Sequence, residues 1–355
     1  MPIVRQAHHK KKNGWKDVQS KRQIARKTKL ASVALIIVLL FLVLSQAVKF
    51  TQTLFSPWKT PSAKSYLWNG DFNLNFLIRS RGVAFVSFNP KDQKIIIVNI
   101  PSSTFVETAQ GFGKWQLASI YDLGETGKLG GDTLLNLSLT NFFGLPIDGI
   151  LDFSGKYATL SASELVDEIR KTPVSIVGLL SNLKTDLTPY ELMRLNLSLS
   201  GVRFDKKTEI NLDKIGVLEQ SKLADGSPVY ILDDQKLDAA LVDAIDPQIS
   251  GEHKTIAVFN STDHPALGKR GSRLITNLGG DVIIVTNSET KLSKTLIYGE
   301  KSKTLERLKQ AFGIDDKQSL PFSDEKLKID PKLKDQILTR AQINVFLGED
   351  YFTNQ

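Results

Sequence analysis

Arg79 and Arg81 stand two residues apart just ahead of an apolar run, and the next such run, KIIIVNI at Lys94–Ile100, ends at Pro101 and opens into Ser102, Ser103 and Thr104. Guanidinium groups pair with phosphate through parallel N–H donors, and serine hydroxyls add neutral ones. Arg79, Arg81, Ser102 and Ser103 therefore suit an anion, a phosphate above all. The plainer alternative is a solvated strand end followed by an ordinary turn. Nucleophilic chemistry is poorly supplied, because the chain has no cysteine and only four histidines. His8 and His9 precede a long apolar segment, while His253 and His264 fall much further along, so no Ser-His-Asp set suggests itself. Asp122, Glu125, Asp132, Asp148 and Asp152 lack a recurring ligand spacing and read as solvated faces or caps, with Asp148 capping a turn; no metal site is expected. LGETGKLGGD at Leu123–Asp132 has glycines and Lys128 without P-loop spacing, which argues against a nucleotide site. Asn136-Leu-Ser and Asn196-Leu-Ser match the glycosylation pattern but sit on apolar helical stretches.

The elements that would position these residues alternate. GVAFVSFN (Gly82–Asn89) and KIIIVNI are joined by Pro90–Gln93, a hairpin turn, and their near-continuous apolarity predicts central strands covered on both faces. GGDTLLNLSLTNFFGLP predicts a helix capped by Asp132 or Thr133 and closed by Gly144. GILDF (Gly149–Phe153) reads as a strand and SASELVDEIRK as a helix. Thr188-Pro189-Tyr190-Glu191 has the form of a capping box opening a helix to about Leu199. SPVYILD and a helix around Gln235–Ala244 complete an α/β domain over 71–245. Residues 246–254 read as a polar linker. Over 255–351 the order strand, helix, two strands, helix, strand predicts a small βαββαβ domain, a ferredoxin-like sandwich.

The formal charge of +8 is local. Residues 1–29 hold ten Lys/Arg against Asp17 alone, which leaves 36 basic and 37 acidic residues in the rest of the chain. The basicity is a tail property, and no nucleic-acid partner is expected. The tail runs into LASVALIIVLLFLVLSQAV at 30–48, an uncharged stretch that as a helix spans about 28 Å, close to a bilayer's hydrocarbon core. Ser45-Gln46-Ala47 resembles a signal-peptide cleavage site, but the apolar run is long for a signal and favours an anchor. The expectation is one pass through the cell membrane, with 1–29 as a cytoplasmic tail and everything after Lys49 outside. Residues 49–70 form a stalk, with Phe50, Phe55 and Trp58 at the headgroups, and the basic tail suits anionic lipid.

Taken together, RSRGVAFVSFNPKDQKIIIVNIPSSTFVE and LGGDTLLNLSLTNFFGLPIDGILDFSG resemble the LytR-CpsA-Psr family of bacterial envelope proteins. The segments IAVFNST, ALGKRGSRLITNLGGDV and INVFLGEDY resemble the LytR C-terminal domain that often follows it. The resemblance implies an LCP-like sheet domain covered by helices, and transfer of a polyprenyl-pyrophosphate-linked glycan to peptidoglycan with arginines on the pyrophosphate and carboxylates holding Mg2+. Several positions depart from the family's pattern. Arg79 matches its first Arg, but Arg81 stands at its metal-binding Asp, and Ser102 and Ser103 stand at its Arg and Asp. The expectation is a membrane-anchored protein of cell-wall biogenesis that binds polyprenyl phosphate or cell-wall glycan without catalysis or cofactor. The alternative is an active phosphotransferase with Mg2+, using Arg79, Arg81 and a displaced carboxylate such as Asp122 or Asp132. A third possibility is an unrelated α/β first domain, with only the C-terminal resemblance meaningful.

Overall fold

The computed structural model describes residues 15–56, 64, 66–171, 182–222, 226, 228–314, 319–320 and 341–353. Trp58 of the expected stalk and residues 1–14 of the basic tail lie outside them. The chain forms two compact units, Met1–Phe55 and Ser56–Gln355.

The described residues of the first unit form a helix, α1, Trp15–Leu54, longer at both ends than the 30–48 segment. No glycine or proline interrupts the chain between Gly14 and Pro57, so nothing stops the helix sooner. Its stretch Leu35–Leu54 is long and apolar enough to cross a membrane.

The second unit is mixed α/β. In chain order its strands are β1 Leu74–Arg79, β2 Val83–Asn89, β3 Lys94–Ile100, β4 Phe105–Thr108, β5 Gly113–Gln116, β6 Gly149–Asp152, β7 Lys184–Thr185, β8 Lys207–Asn211, β9 Leu218–Lys222, β10 Pro228–Leu232, β11 Thr255–Asn260, β12 Asp281–Asn287, β13 Leu296–Gly299, β14 Ser319–Leu320 and β15 Ile343–Leu347. Its helices are α2 Leu117–Thr126, α3 Gly131–Phe143, α4 Ala162–Arg170, α5 Pro189–Ser200, α6 Asp234–Ala240, α7 Pro247–Ser250, α8 Leu267–Leu278, α9 Lys303–Ala311 and α10 Glu349–Thr353.

Six strands form one sheet in the order β7-β6-β1-β2-β3-β8. Successive side chains alternate between its faces. Phe76, Ile78, Ala84, Val86, Ile95 and Ile97 pack with α4 and α5. Leu77, Phe85, Ile96 and Val98 face α3, where the Phe85 and Phe143 rings stack at 4.3 Å. Both faces are covered, which is why β2 and β3 read as continuous apolar runs. β1 (LNFLIR) is equally buried, and sequence reading named no strand there. Helix α3 begins at Gly131 with Gly130 as its N-cap, so Asp132 lies inside the first turn and is not the cap. Gly144 ends the helix in the left-handed conformation at φ 58°, which glycine adopts without strain.

The second sheet has the order β12-β11-β15-β13-β14. β11 runs parallel to both β12 and β15, and β13 is antiparallel to β15. This is not the ferredoxin-like arrangement. The α8 crossover returns β12 as the direct parallel neighbour of β11, whereas a ferredoxin-like sheet leaves a gap for another strand there. Residues 246–254 are packed: Asp246 and Ile249 are buried, and one Asp246 carboxylate oxygen accepts the Asn73 N–H at 2.7 Å. Side chains of the two sheets meet in one hydrophobic cluster that runs from Phe85 and Leu139 to Ile256, Ile275 and Leu347.

Candidate functional site

Strand β1 ends at Arg79, and the chain reverses through Ser80, Arg81 and Gly82 into β2. Ser80 N–H donates to the Gly82 carbonyl at 2.9 Å and its hydroxyl to the Leu160 carbonyl at 2.9 Å, which fixes the turn and leaves Arg81 exposed at its tip. On the other side of β2, β3 ends at Ile100 and the Pro101–Thr104 turn follows, closed by Thr104 N–H to the Pro101 carbonyl at 3.0 Å. The Ser102 carbonyl accepts the Ala118 N–H at 3.1 Å, tying the turn to the start of α2. Crevices at the carboxyl ends of strands are where open α/β sheets bind ligands.

A cleft of about 200 Å³ opens there, lined by Arg79, Arg81, Ser102, Tyr121 and the apolar Leu117 and Leu135, among others. That volume suits a headgroup more than a drug-sized ligand. Three of the four residues singled out from sequence share this cleft. Ser103 is not among its lining residues; its carbonyl accepts from Tyr230 N–H at 3.4 Å.

The two arginines differ in their fixation. Arg79 Nη1 donates to Asp152 Oδ2 at 2.9 Å and to Ser154 Oγ at 3.2 Å, and the guanidinium lies 3.5 Å from the Tyr121 ring centroid. Arg79 and Asp152 are in-register partners on the parallel strands β1 and β6, which puts them side by side. Arg81 has no hydrogen bond or ion pair to any described residue.

Behind Arg79 lie carboxylates that do not behave as solvated faces. Asp152 is 2% exposed and bound by Arg79. Asp132 holds one oxygen, Oδ1, buried without a hydrogen-bond partner. Burial first, and then the Asp152 charge, keep its carboxyl above the usual range, with Arg79 pulling the other way. Burial likewise pushes the Tyr121 hydroxyl up. Asp122 is exposed on α2, and Asp148 lies in a buried ion pair with Arg307 rather than capping a turn. Among the described residues no group of three His, Asp or Glu side chains converges as a metal site would need. Sequence reasoning missed Tyr121 as a cleft residue and Asp152 and Ser154 as the partners that fix Arg79. An arginine ending a strand beside a second strand that ends in aspartate is the signal that could have found Asp152.

Comparison with known proteins adds the following. No family model matches the chain, and no curated protein matches it. Among solved structures, those similar to it include LytR-CpsA-Psr proteins. One is TagT of B. subtilis, at 14% identity over 52% of this chain and 98% of that one, with a TM-score of 0.38. Another is the LytR-CPS2A-psr family protein YwtF (TagT) with bound octaprenyl pyrophosphate lipid, at 15% identity over 53% and 97% of the two chains and a TM-score of 0.37. TagV of B. subtilis covers 59% of this chain and 97% of its own at 14% identity and a TM-score of 0.38.

Proposed function

We propose that the protein is a membrane-anchored component of the cell envelope, with its tail cytoplasmic and its LCP-like and LytR C-terminal-like domains outside, and that it binds the phosphate of a polyprenyl-linked lipid or cell-wall glycan at this cleft without transferring it. The observation that carries the reading is the meeting of Arg79, Arg81 and Ser102 in one cleft, where Arg81 makes no hydrogen bond or ion pair to a described residue. Its guanidinium donors are uncommitted, with only the longer-range charge of the Glu164 carboxylate to compete, and a guanidinium takes phosphate through parallel N–H bonds. The motif resemblance nominates polyprenyl-linked phosphates as the ligand class. Ser103 stands beside the cleft as a second hydroxyl of the same turn. The donor set does not suit Mg2+: Asp152 is already neutralised by Arg79, and a second guanidinium stands at the mouth.

A second reading, the phosphotransferase, draws on the unpartnered Asp132 Oδ1 close behind Arg79. Titration of the full-length protein in detergent micelles with a polyprenyl pyrophosphate, with and without magnesium, separates the two. Metal-independent binding that Arg81→Ala weakens about tenfold, the worth of one charge-assisted contact, is the expected result. Magnesium-dependent binding or phosphate turnover would favour the second reading, and no binding in either condition would remove both. Arg81→Asp with Ser103→Asp, which restores carboxylates at the family's positions, is expected to bring magnesium dependence.

A further inference from the structure

The cleft holds one guanidinium rigidly, and the device that holds it begins two helices away. Helices α2 and α3 touch backbone to backbone where Gly124 meets Gly130 and Gly131. A Cβ on Gly124 would lie 2.8 Å from the Gly130 oxygen and 2.9 Å from Gly131 Cα. A Cβ on Gly131 would lie 2.7 Å from both the Cδ2 and the backbone oxygen of Tyr121. The connection is locked by Glu125, whose carboxylate accepts the Gly131 N–H at 2.6 Å, and by the Leu129 and Gly130 N–H groups, both bonded to the Gly124 carbonyl at 3.1 Å. Tyr121 is thus wedged between its own helix and Gly131, with its ring against Arg79 at 3.5 Å.

We infer that Tyr121, set by the Gly131 contact, is a positioning residue of the phosphate site: its ring holds the Arg79 guanidinium ready for an anion. The inference rests on the phosphate reading above. A guanidinium carries five N–H donors in one plane. Asp152 and Ser154 take donors of Nη1, while Nε and Nη2 have no acceptor among the described residues. Stacking covers a face of the plane and leaves its edge, where the donors lie, available to a ligand. It also removes rotamer freedom that binding would otherwise have to freeze, which is how preorganisation raises affinity. The half-buried phenol, its hydroxyl pushed up by desolvation, stays neutral, and its ring face attracts the cation. Arg79 becomes the fixed half of a clamp and Arg81 the half that closes.

The test is calorimetric titration of the full-length protein in micelles with inorganic pyrophosphate. Loss of the aromatic face in Tyr121→Leu is expected to weaken binding about tenfold, and Tyr121→Phe to recover it to within about threefold of wild type. Gly131→Ala, which pushes the ring aside, should behave like the leucine variant. In an Arg79→Ala background, Tyr121→Leu should have no further effect, because the ring acts through that guanidinium. A merely structural role would give the same loss with and without Arg79, and that outcome would overturn the inference. So would wild-type affinity in Tyr121→Leu, or failure of phenylalanine to recover it. If those failures came while Arg81→Ala still weakened binding, the phosphate site would stand without its positioning residue. If the wild type bound no pyrophosphate at all, the phosphate reading itself would fall.

Discussion

At the scale of single residues, the chain separates charges that are bound from charges that are free. Arg79 is committed to Asp152 and Tyr121, whereas Arg81 makes no hydrogen bond or ion pair to a described residue and feels Glu164 only through its charge. The sequence marks both arginines and the serine turn, because residue type and a strand ending at Pro101 are visible in one dimension. It cannot mark Tyr121 or Asp152, which reach Arg79 only through a helix contact and a parallel strand pairing. Asp186 shows the same limit in a different setting. Burial pushes its carboxyl up to about 6, against the pull of the Ile150 N–H at 2.8 Å and of Lys64. A raised folded-state value means that the native state binds the proton more readily than the unfolded chain does. The stability this gives is full below the unfolded value near 3.8 and is lost as pH rises through about 6. Asp186→Asn keeps an acceptor for Ile150 and cannot ionise. It is therefore expected to gain on wild type by on the order of 2–3 kcal/mol between pH 4 and pH 7.5. Urea unfolding at the two pH values checks this, and a difference between variant and wild type that does not change with pH would refute it.

At the scale of elements, local signals were legible wherever local chemistry decides. The β2–β3 hairpin, the Gly144 stop and the Thr188–Glu191 capping box stand where the sequence puts them. Pairing order was not legible, since β12 beside β11 depends on how α8 packs, and nothing in the strand's own residues reports that. The capping boxes show how one signature can carry two energies. In the box that opens α4, Ser161 Oγ accepts the Glu164 N–H at 3.2 Å near solvent. In the box that opens α5, Glu191 is wholly buried and its carboxylate also accepts from Trp68 N–H at 2.7 Å and Lys64 Nζ at 2.5 Å. Ser161→Ala should cost about 1 kcal/mol, the ordinary loss of an N-cap. Glu191→Ala should cost about 3–5 kcal/mol, because it removes an ion-pair acceptor of the nearly buried Lys64 and the acceptor of three further donors. Equal losses in denaturant unfolding would show that burial adds nothing to the second box.

At the scale of the whole second unit, a buried charge pair sits beside the apolar cluster that joins its two sheets. Sequence reading placed Asp148 at a turn and did not single out Arg307. Both are wholly buried in the fold. Arg307 Nη2 donates to both carboxylate oxygens of Asp148 at 3.0 Å, and Nη1 donates to the Tyr66 hydroxyl at 2.9 Å, which itself bonds Asp148. Asp148 also accepts the Asn75 N–H at 2.8 Å, and Arg307 Nη2 reaches the Asn73 carbonyl at 3.4 Å. The pair therefore ties α9 to the start of β1 and to the segment before β6. A buried ion pair contributes little net stability compared with apolar residues of the same volume, but removing one partner leaves a charge in a medium that cannot solvate it. Arg307→Met is accordingly expected to destabilise the protein by about 3–5 kcal/mol, and adding Asp148→Asn should return a substantial part of that by removing the stranded charge. Buried Trp68 gives a fluorescence readout for urea unfolding of the full chain in micelles. If the double variant is as unstable as Arg307→Met, the loss comes from packing around the long side chain, and the sheets are held by their shared apolar cluster rather than by the charge pair.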